Sequence, residues 1–258
     1  MSNPAAFDLK GRTALVTGAS SGLGARFAII LAAAAANVVL AARRMDQLAA
    51  LQAQIEAAGG KAIAVAMDVT DEASTIAAYD AAEAAFGTVD TIIANAGMNA
   101  EGSTLDLAID DFDKVVAVNL RGVFLTVREG AKRLIAAGSR EKQHGRIVIN
   151  CSITATKVVP GIAAYSATKA GVEQMGKVMA RDWVRQGINV NMLCPGYVAT
   201  EMTDEWFKSE GGLKQISGFP RRRAMTVSDL DIPLLFLASD ASRAITGTSI
   251  TVDDGQSL

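Results

Sequence analysis

The feature that most narrows what this chain can fold into is a steady alternation of short apolar runs with long helical patterns. Arg12–Thr17, Asn37–Ala42, Ala62–Met67, Val89–Asn95, Arg146–Cys151, Asn189–Leu193 and Ser249–Val252 have the length and residue types of strands. Between them Gly22–Ala35, Met45–Ala58, Asp71–Phe86, Asp110–Ala137 and Ala163–Gln186 have helical length and periodicity. Asp71 and Asp110 stand where helix N-caps belong, and Gly59, Gly87, Gly138 and Gly187 fall where helices should stop. Alternation without a composition break, linker or repeat predicts a single α/β domain over residues 1–258. Its sheet is doubly wound, with seven mostly parallel strands and helices on both faces.

Composition excludes several function classes. Half of the 258 residues are hydrophobic and only 5% aromatic, so Ala, Val, Ile and Leu build the core. A formal charge of −2 argues against a nucleic-acid surface. The longest apolar run, Phe27 to Ala36, is too short to cross a membrane, and Met1-Ser2-Asn3-Pro4 lacks the regions of a signal peptide. The two cysteines, Cys151 and Cys194, sit at strand ends, which together with the missing signal predicts a reduced, cytoplasmic protein. The single histidine, His144, lies in a polar stretch, so no histidine-based metal site is expected. One segment breaks the rhythm: 199–223 is rich in glycine and charge, carries Trp206, Phe207 and Phe219, and reads as a substrate lid.

The turn Thr17-Gly18-Ala19-Ser20-Ser21-Gly22-Leu23-Gly24 follows the first strand and opens the first long helix. Glycines let backbone approach a pyrophosphate, and a helix N-terminus offers free N–H groups and the positive end of its dipole. The same residues satisfy G-x-S-x-G, the nucleophile elbow of hydrolases, but only one strand precedes them and no histidine base is at hand. A dinucleotide is the better reading. In such folds an acid at the end of the second strand grips the ribose hydroxyls of NAD. Here Ala42 stands in that place, followed by Arg43 and Arg44. Two guanidiniums can pair with a 2′-phosphate, so NADP(H) is favoured over NAD(H), with Arg43 as the main contact and Arg44 the more peripheral.

The segment Tyr165-Ser166-Ala167-Thr168-Lys169 places a phenol and an ammonium on one face of a helix, one turn apart. Tyrosine, with an ordinary pKa near ~10, exchanges protons poorly at neutral pH, and a neighbouring ammonium favours the phenolate. Ser152 adds a hydroxyl that can bond the oxygen which gains or loses the proton. This is equipment for interconverting a carbonyl and an alcohol.

Thr17–Gly24, Asn95-Ala96-Gly97, Asn119 and the set Ser152, Tyr165 and Lys169 agree in order and spacing with one family. Together with Pro195-Gly196 and the closing Val252-Asp253-Asp254-Gly255, they resemble the short-chain dehydrogenase/reductase family in its single-domain branch. The similarity covers nearly the whole chain and is nearest to NADPH-dependent carbonyl reductases and secondary alcohol dehydrogenases of Rossmann-type fold. Two positions depart from the family pattern: Ala94 replaces a usual asparagine, and Ser21 a residue often basic in NADP-dependent members. The resemblance implies Tyr165 as general acid, Lys169 on the nicotinamide ribose, Ser152 on the substrate carbonyl, and Asn119 holding a water that links Lys169 to solvent. It assigns Gly18, Ser20, Ser21, Gly22, Leu23 and Gly24 to the phosphates and Asp68 and Val69 to the adenine. Asn95, Ala96 and Gly97 fall to the adenosine ribose, and Pro195, Gly196, Val198 and Thr200 to the nicotinamide side.

Residues expected around the carbonyl are Ser152, Ile153, Thr154, Val158, Val159, Pro160, Tyr165 and Tyr197, with Met98, Met202, Trp206 and Phe207 from flanking segments. That set holds no arginine for a carboxylate, so an uncharged, bulky, hydrophobic ketone or secondary alcohol is expected. Reduction of a 3-oxoacyl chain on a carrier is the alternative, and would use a basic docking surface from Arg140, Lys142, Arg181 or Arg221 to Arg223. A non-catalytic nicotinamide-binding regulator is a third reading, which the intact Ser, Tyr, Lys and Asn set opposes. Lys157 and Arg128 read as solvated surface charges. The family resemblance implies a homotetramer or homodimer paired through the long helices and the last strand.

Overall fold

Each apolar run becomes a strand in the computed structural model, which describes residues 7–201 and 203–258. The residues Met1–Pro4 and Met202, named above, lie outside the described residues. The strands are β1 (Thr13–Thr17), β2 (Asn37–Ala42), β3 (Lys61–Ala66), β4 (Thr91–Ala94), β5 (Gly145–Asn150), β6 (Ile188–Pro195) and β7 (Ser249–Val252). They form one sheet in the order β3-β2-β1-β4-β5-β6-β7, with every neighbouring pair parallel. Successive side chains on a strand face opposite ways. Ala14 and Val16 of β1 therefore pack with Phe27, Leu31, Leu48 and Leu234 on one face, while Leu15 packs with Tyr79, Val127 and Val172 on the other. Both faces need apolar cover, which explains strands apolar at nearly every position.

That cover comes from α1 (Gly22–Ala33), α2 (Met45–Ala57), α3 (Glu72–Phe86), α4 (Ile109–Val116), α5 (Val123–Ala136) and α7 (Ala163–Trp183). Short helices α6 (Ser139–Lys142), α8 (Asp204–Lys208) and α9 (Glu210–Gly218) lie in connections, and α10 (Asp231–Ala238) packs beside α1. The sequence reading missed α10, because Leu234, Leu235, Leu237 and Ala238 are all buried and leave no polar face to reveal a helical period. Asp71 caps α3, accepting from the N–H groups of Ala73 (3.1 Å) and Ser74 (3.2 Å). Asp110 does not cap; α4 begins at Ile109, and Asp110 and Asp111 sit in its first turn against the positive dipole end. Gly59, Gly87, Gly138 and Gly187 all take positive φ, between 73° and 85°, where the helices end.

The helix expected over Asp110–Ala137 is broken by one π-helical turn, Ala117–Gly122, between α4 and α5. Asn119 lies in that turn and is fully buried. Such widened turns redirect a side chain out of the regular helical path. The order of the sheet makes a second consequence. After β3 the chain crosses back to lay β4 on the other side of β1, so the connections leaving their C-terminal ends run to opposite faces of the sheet and leave a crevice.

The opposite end of the sheet is closed by buried charge. The Arg12 guanidinium donates to Asp90 (3.2 Å), Asp240 (2.5 Å) and the His144 carbonyl (2.8 Å). Arg146, 1% exposed, donates to Asp240 (3.1 Å) and the Ser239 carbonyl (3.2 Å). Asp90 also takes the Thr13 N–H (3.2 Å) and the Thr91 hydroxyl (2.7 Å). Removing one member of a buried pair leaves its partner uncompensated. Asp90→Ala is expected to cost about 3 kcal/mol in urea unfolding, since Arg12 and the Thr13 N–H lose a partner together. His144 gives a pH signature. Burial lowers its imidazole below the ordinary 6.5, with Arg12, Lys142 and Arg146 adding to this and Asp90 opposing it. The folded protein thus resists a proton that the unfolded chain accepts. Stability is expected to be full above about pH 6.5 and to fall as pH drops through the lowered value, and His144→Gln removes that acid-side slope in unfolding midpoints.

Candidate active site

Thr17 ends β1 and holds the crevice together. Its hydroxyl oxygen accepts the N–H groups of Asn95 and Ala96, each at 3.0 Å, and its carbonyl accepts the Asn95 amide at 2.9 Å. Gly18 follows at φ 66°, where a Cβ would lie 2.9 Å from the Ala96 Cα. Gly24 is equally constrained, since a Cβ there would meet the Gly18 carbonyl oxygen at 2.2 Å. The cradle is therefore shaped for backbone alone. Ser21, the extended N-cap of α1, makes no side-chain bond to the helix, which leaves first-turn N–H groups for an anion.

A cleft of about 620 Å³ runs from this turn across the C-terminal ends of the strands. Gly18, Ser20, Ser21, Gly22, Leu23 and Gly24 line one end, with Arg43, Arg44, Asp68 and Val69 beside them. Arg44 is no bystander. Its guanidinium donates to the Ser20 hydroxyl (2.9 and 3.2 Å) and the Ser21 hydroxyl (2.7 Å), which carries its charge onto the turn. The Thr70 N–H (2.9 Å) and hydroxyl (2.8 Å) hold the Asp68 carboxyl below the usual carboxylate range, and Arg43 adds to the effect. Asn95, Ala96 and Gly97 form the middle wall, and Pro195, Gly196, Val198 and Thr200 face them.

Ser152, Tyr165 and Lys169 also line the cleft. The Lys169 ammonium, in a residue 3% exposed, donates to the Asn150 carbonyl at 2.8 Å and sits 5.4 Å from the centre of the Tyr165 ring. The Ser152 oxygen accepts both the N–H (3.1 Å) and the hydroxyl (3.0 Å) of Thr154. With its acceptor sites used, its own hydroxyl hydrogen remains free to donate. Asn119 lies behind the wall: its amide accepts the Met98 N–H (2.9 Å) and donates to the Met98 carbonyl (2.8 Å) and the Thr168 hydroxyl (3.3 Å). Gly97 runs past both groups, with a Cβ position 3.5 Å from Asn119 Oδ1 and 3.8 Å from Lys169 Nζ.

Of the residues expected around the carbonyl, Met98, Ile153, Thr154, Val159, Pro160, Tyr197 and Trp206 line the cleft. Val158 does not and is 91% exposed. Phe207 and Phe219 instead pack on the Tyr197 ring, with centroids 6.4 and 5.4 Å away. Trp206 is 43% exposed and donates to Gln215 at 2.6 Å. Asn99, Glu101, Glu201 and Gln215 add polar groups that the sequence reading lacked. Burial raises the Tyr197 phenol, the Gln215 amide opposes this, and Tyr165 and Glu101 push it further up. Tyr197 therefore presents a neutral hydroxyl.

Asn150 was also missed, although a polar residue at the end of a buried strand, two before Ser152, is a signal in its own right. Its amide donates to Asn95 Oδ1 at 2.9 Å. Cys151 and Cys194 are free and buried among apolar side chains, as expected. Lys157 departs from the expectation of a solvated charge, for its ammonium donates to the Gln256 carbonyl. Arg128 pairs with Glu72 at 2.9 Å on the surface. Arg140 and Lys142 lie in α6 and His144 in the loop after it, all just before β5 begins, at the end of the sheet away from the cleft. Arg221 and Arg223 both pair with Asp254, at 2.8 and 2.9 Å. Among the described residues no group of three or more acidic, cysteine or histidine side chains could hold a metal, and no helix is long and apolar enough to cross a membrane.

Comparison with known proteins places this geometry. The family model described as short chain dehydrogenase matches residues 12–211. The chain is 38% identical over 256 residues to gluconate 5-dehydrogenase of Gluconobacter oxydans (strain 621H), covering 99% of this chain and 98% of that one. It is 35% identical to D-threitol dehydrogenase of Mycolicibacterium smegmatis, covering 98% and 95%. Among solved structures, a gluconate 5-dehydrogenase from Burkholderia cenocepacia J2315 in complex with NADP and tartrate superposes with a TM-score of 0.91 at 34% identity, covering 97% of each chain. With a fold that superposes at a TM-score of 0.91 and a sequence match along nearly its full length, the chain belongs to the short chain dehydrogenase family and is an oxidoreductase.

Proposed function

We propose that the protein interconverts a neutral ketone and its secondary alcohol using NADP(H), with Tyr165 as the proton-transferring group. The observation that carries this reading is the meeting of Ser152, Tyr165 and Lys169 on one wall of the cleft, with the Lys169 charge 5.4 Å from the Tyr165 ring centre. The far end of the cleft suits a dinucleotide: the cradle at Gly18 and Gly24 is one that a Cβ would fill, and α1 opens onto it without a side-chain cap. Arg43 and Arg44 with no carboxylate at Ala42 support a 2′-phosphate, the Arg44 guanidinium already lying on the phosphate turn. Asp68, Asn95 and Gly97 would hold the adenine and its ribose, and Val198 and Thr200 the nicotinamide side. When bound, NADPH supplies the hydride to the carbonyl carbon.

The chain's own groups manage the oxygen. Ser152 donates its free hydroxyl hydrogen to the carbonyl oxygen, which orients the ketone and stabilises negative charge growing there. Tyr165 gives that oxygen its phenolic proton as the carbon is reduced, and takes it back in the oxidative direction. Lys169, buried and anchored on the Asn150 carbonyl, holds a fixed positive charge next to the phenol through either step. Asn119 fixes Met98 and Gly97 under Lys169, and its expected water joins the ammonium to solvent for proton supply.

The substrate end supports an uncharged molecule. Its cations are distant or engaged: Arg43 and Arg44 flank the phosphate turn, and Lys169 is tied to Asn150. Glu101 and Glu201 line the mouth and disfavour a carboxylate. Threitol, the uncharged polyol in one relative's name, fits such a lining better than gluconate. Ile153, Val159, Pro160 and Trp206 favour a bulky, apolar ketone, while Asn99, Gln215 and Tyr197 accommodate hydroxyl groups. The segment 199–223, with α8 and α9, acts as a lid over this end. Carrier-bound 3-oxoacyl chains fit less well, since Arg140 and Lys142 face away from the mouth and Arg221 and Arg223 are spent on Asp254. The working form is a cytoplasmic homodimer or homotetramer.

Tyr165→Phe is expected to lower NADPH-dependent ketone turnover by roughly 10²- to 10⁴-fold while fluorescence titration shows NADPH still binding. Equal rates in the variant and the native enzyme would remove proton transfer from Tyr165, and a regulatory role would gain. Arg44→Ala is expected to raise the KM for NADPH about tenfold or more and leave the KM for NADH unchanged. A native enzyme that prefers NADH across a graded panel of ketones would overturn the cofactor assignment.

A further inference from the structure

The turn after β7 carries a buried polar side chain that no step above uses. Gln256 is 3% exposed and lies behind the cleft wall. Its Oε1 accepts the Tyr197 N–H at 2.6 Å, and its Nε2 donates to the Tyr197 carbonyl at 3.4 Å. One amide thus meets both backbone groups of one residue, as a paired strand would. The fit is close, because a Cβ at Gly196 would fall 2.5 Å from Gln256 Oε1. The Gln256 backbone is itself held: its N–H donates to the Asp253 carbonyl at 2.9 Å, and its carbonyl accepts the Lys157 ammonium. Lys157 belongs to the segment that follows Ser152 and Thr154, so Gln256 joins the stretch after β5 to the stretch after β6.

Tyr197 is the residue where this tie meets the substrate end. Its ring lines the cleft and supports Phe207 and Phe219 of the segment above. Its carbonyl also accepts the Met225 N–H at 3.0 Å, and Met225 accepts from Ala199 at 2.8 Å, so both ends of that segment converge on it. A buried amide with this many partners fixes a geometry, because losing one bond strands the others away from water.

We propose that Gln256 is a positioning residue for substrate: it sets Tyr197, and through Lys157 it fixes the spacing between the two walls that hold the ketone. It acts through Tyr197 and touches no reacting atom. Its kinetic consequence rests on the ketone-reductase reading; its structural consequence does not. Gln256→Met keeps length and volume and removes both bonds to Tyr197. This variant is expected to raise the KM for ketone roughly 5- to 10-fold, to leave the KM for NADPH within about twofold, and to speed amide exchange across residues 196–201. In Gln256→Glu a protonated carboxyl can replace the amide, accepting with one oxygen and donating with the other. Its ketone KM is therefore expected to return toward the native value as pH falls, a rescue that mere loss of packing would not show. Native ketone KM with native exchange in Gln256→Met would overturn the proposal. So would KM values for ketone and NADPH that rise together without acid rescue in Gln256→Glu. If the native enzyme reduces no ketone, the function reading fails by itself. The exchange comparison then still decides the tie: faster exchange at 196–201 in Gln256→Met supports it, and unchanged exchange refutes it.

Discussion

The cleft end of this protein depends on one relay of hydrogen bonds across the C-terminal tips of β1, β4 and β5. Thr17 holds Asn95 and Ala96, Asn95 takes the Asn150 amide at 2.9 Å, and the Asn150 carbonyl anchors the Lys169 ammonium at 2.8 Å. Where parallel strands end at a switch point and their connections leave toward opposite faces, backbone groups lack ladder partners. Here short polar side chains satisfy those groups and in doing so join the glycine turn to Lys169. A charge buried as deeply as Lys169 needs such an anchor, since a loose ammonium would swing toward water and leave the phenol.

Charge is distributed along the cleft in a way that sorts ligands. Arg43 and Arg44 stand at the glycine turn, and Glu101 and Glu201 at the other mouth. Such a distribution favours an anionic ligand at the glycine turn and disfavours one at the other mouth. The buried Arg12, Asp90 and Arg146, with the exposed Asp240 pairing both arginines, lie at the far edge of the strands and tie chain segments 78 or more residues apart. The buried charge and the cleft thus lie at opposite ends of one sheet, and the cleft end keeps free donors such as the first-turn N–H groups of α1.

Most of the scaffold was legible because its signals are local. A strand, a helix stop at Gly87 or a cap at Asp71 is decided by residues within one or two turns, and all appear where the pattern places them. The glycine turn was legible for the same reason. Asp110 failed as a cap because Ile109 already adopts helical backbone and Ala108 is the N-cap, a shift of two residues that periodicity does not resolve. Helix α10 escaped because its exposed position, Ile232, is apolar like its buried ones, so no polar face marks the period.

Arg44, Lys157 and Gln256 illustrate the remainder. In the sequence Arg44 reads as the more peripheral of two cofactor-side arginines, Lys157 as a solvated charge and Gln256 as nothing in particular, yet they meet groups 23, 99 and 59 positions away. Local pattern thus determined the alternation of strands and helices, the phosphate turn, and the residue types able to move a proton and bind a dinucleotide. Only the tertiary structure decided which polar groups meet: that Arg44 lies on Ser20 and Ser21, that Asn150 carries Lys169, and that Gln256 holds Tyr197. Periodicity reports which face of an element is buried, whereas a hydrogen bond depends on ångström distances between elements, and those are set by how the whole sheet and its helices pack.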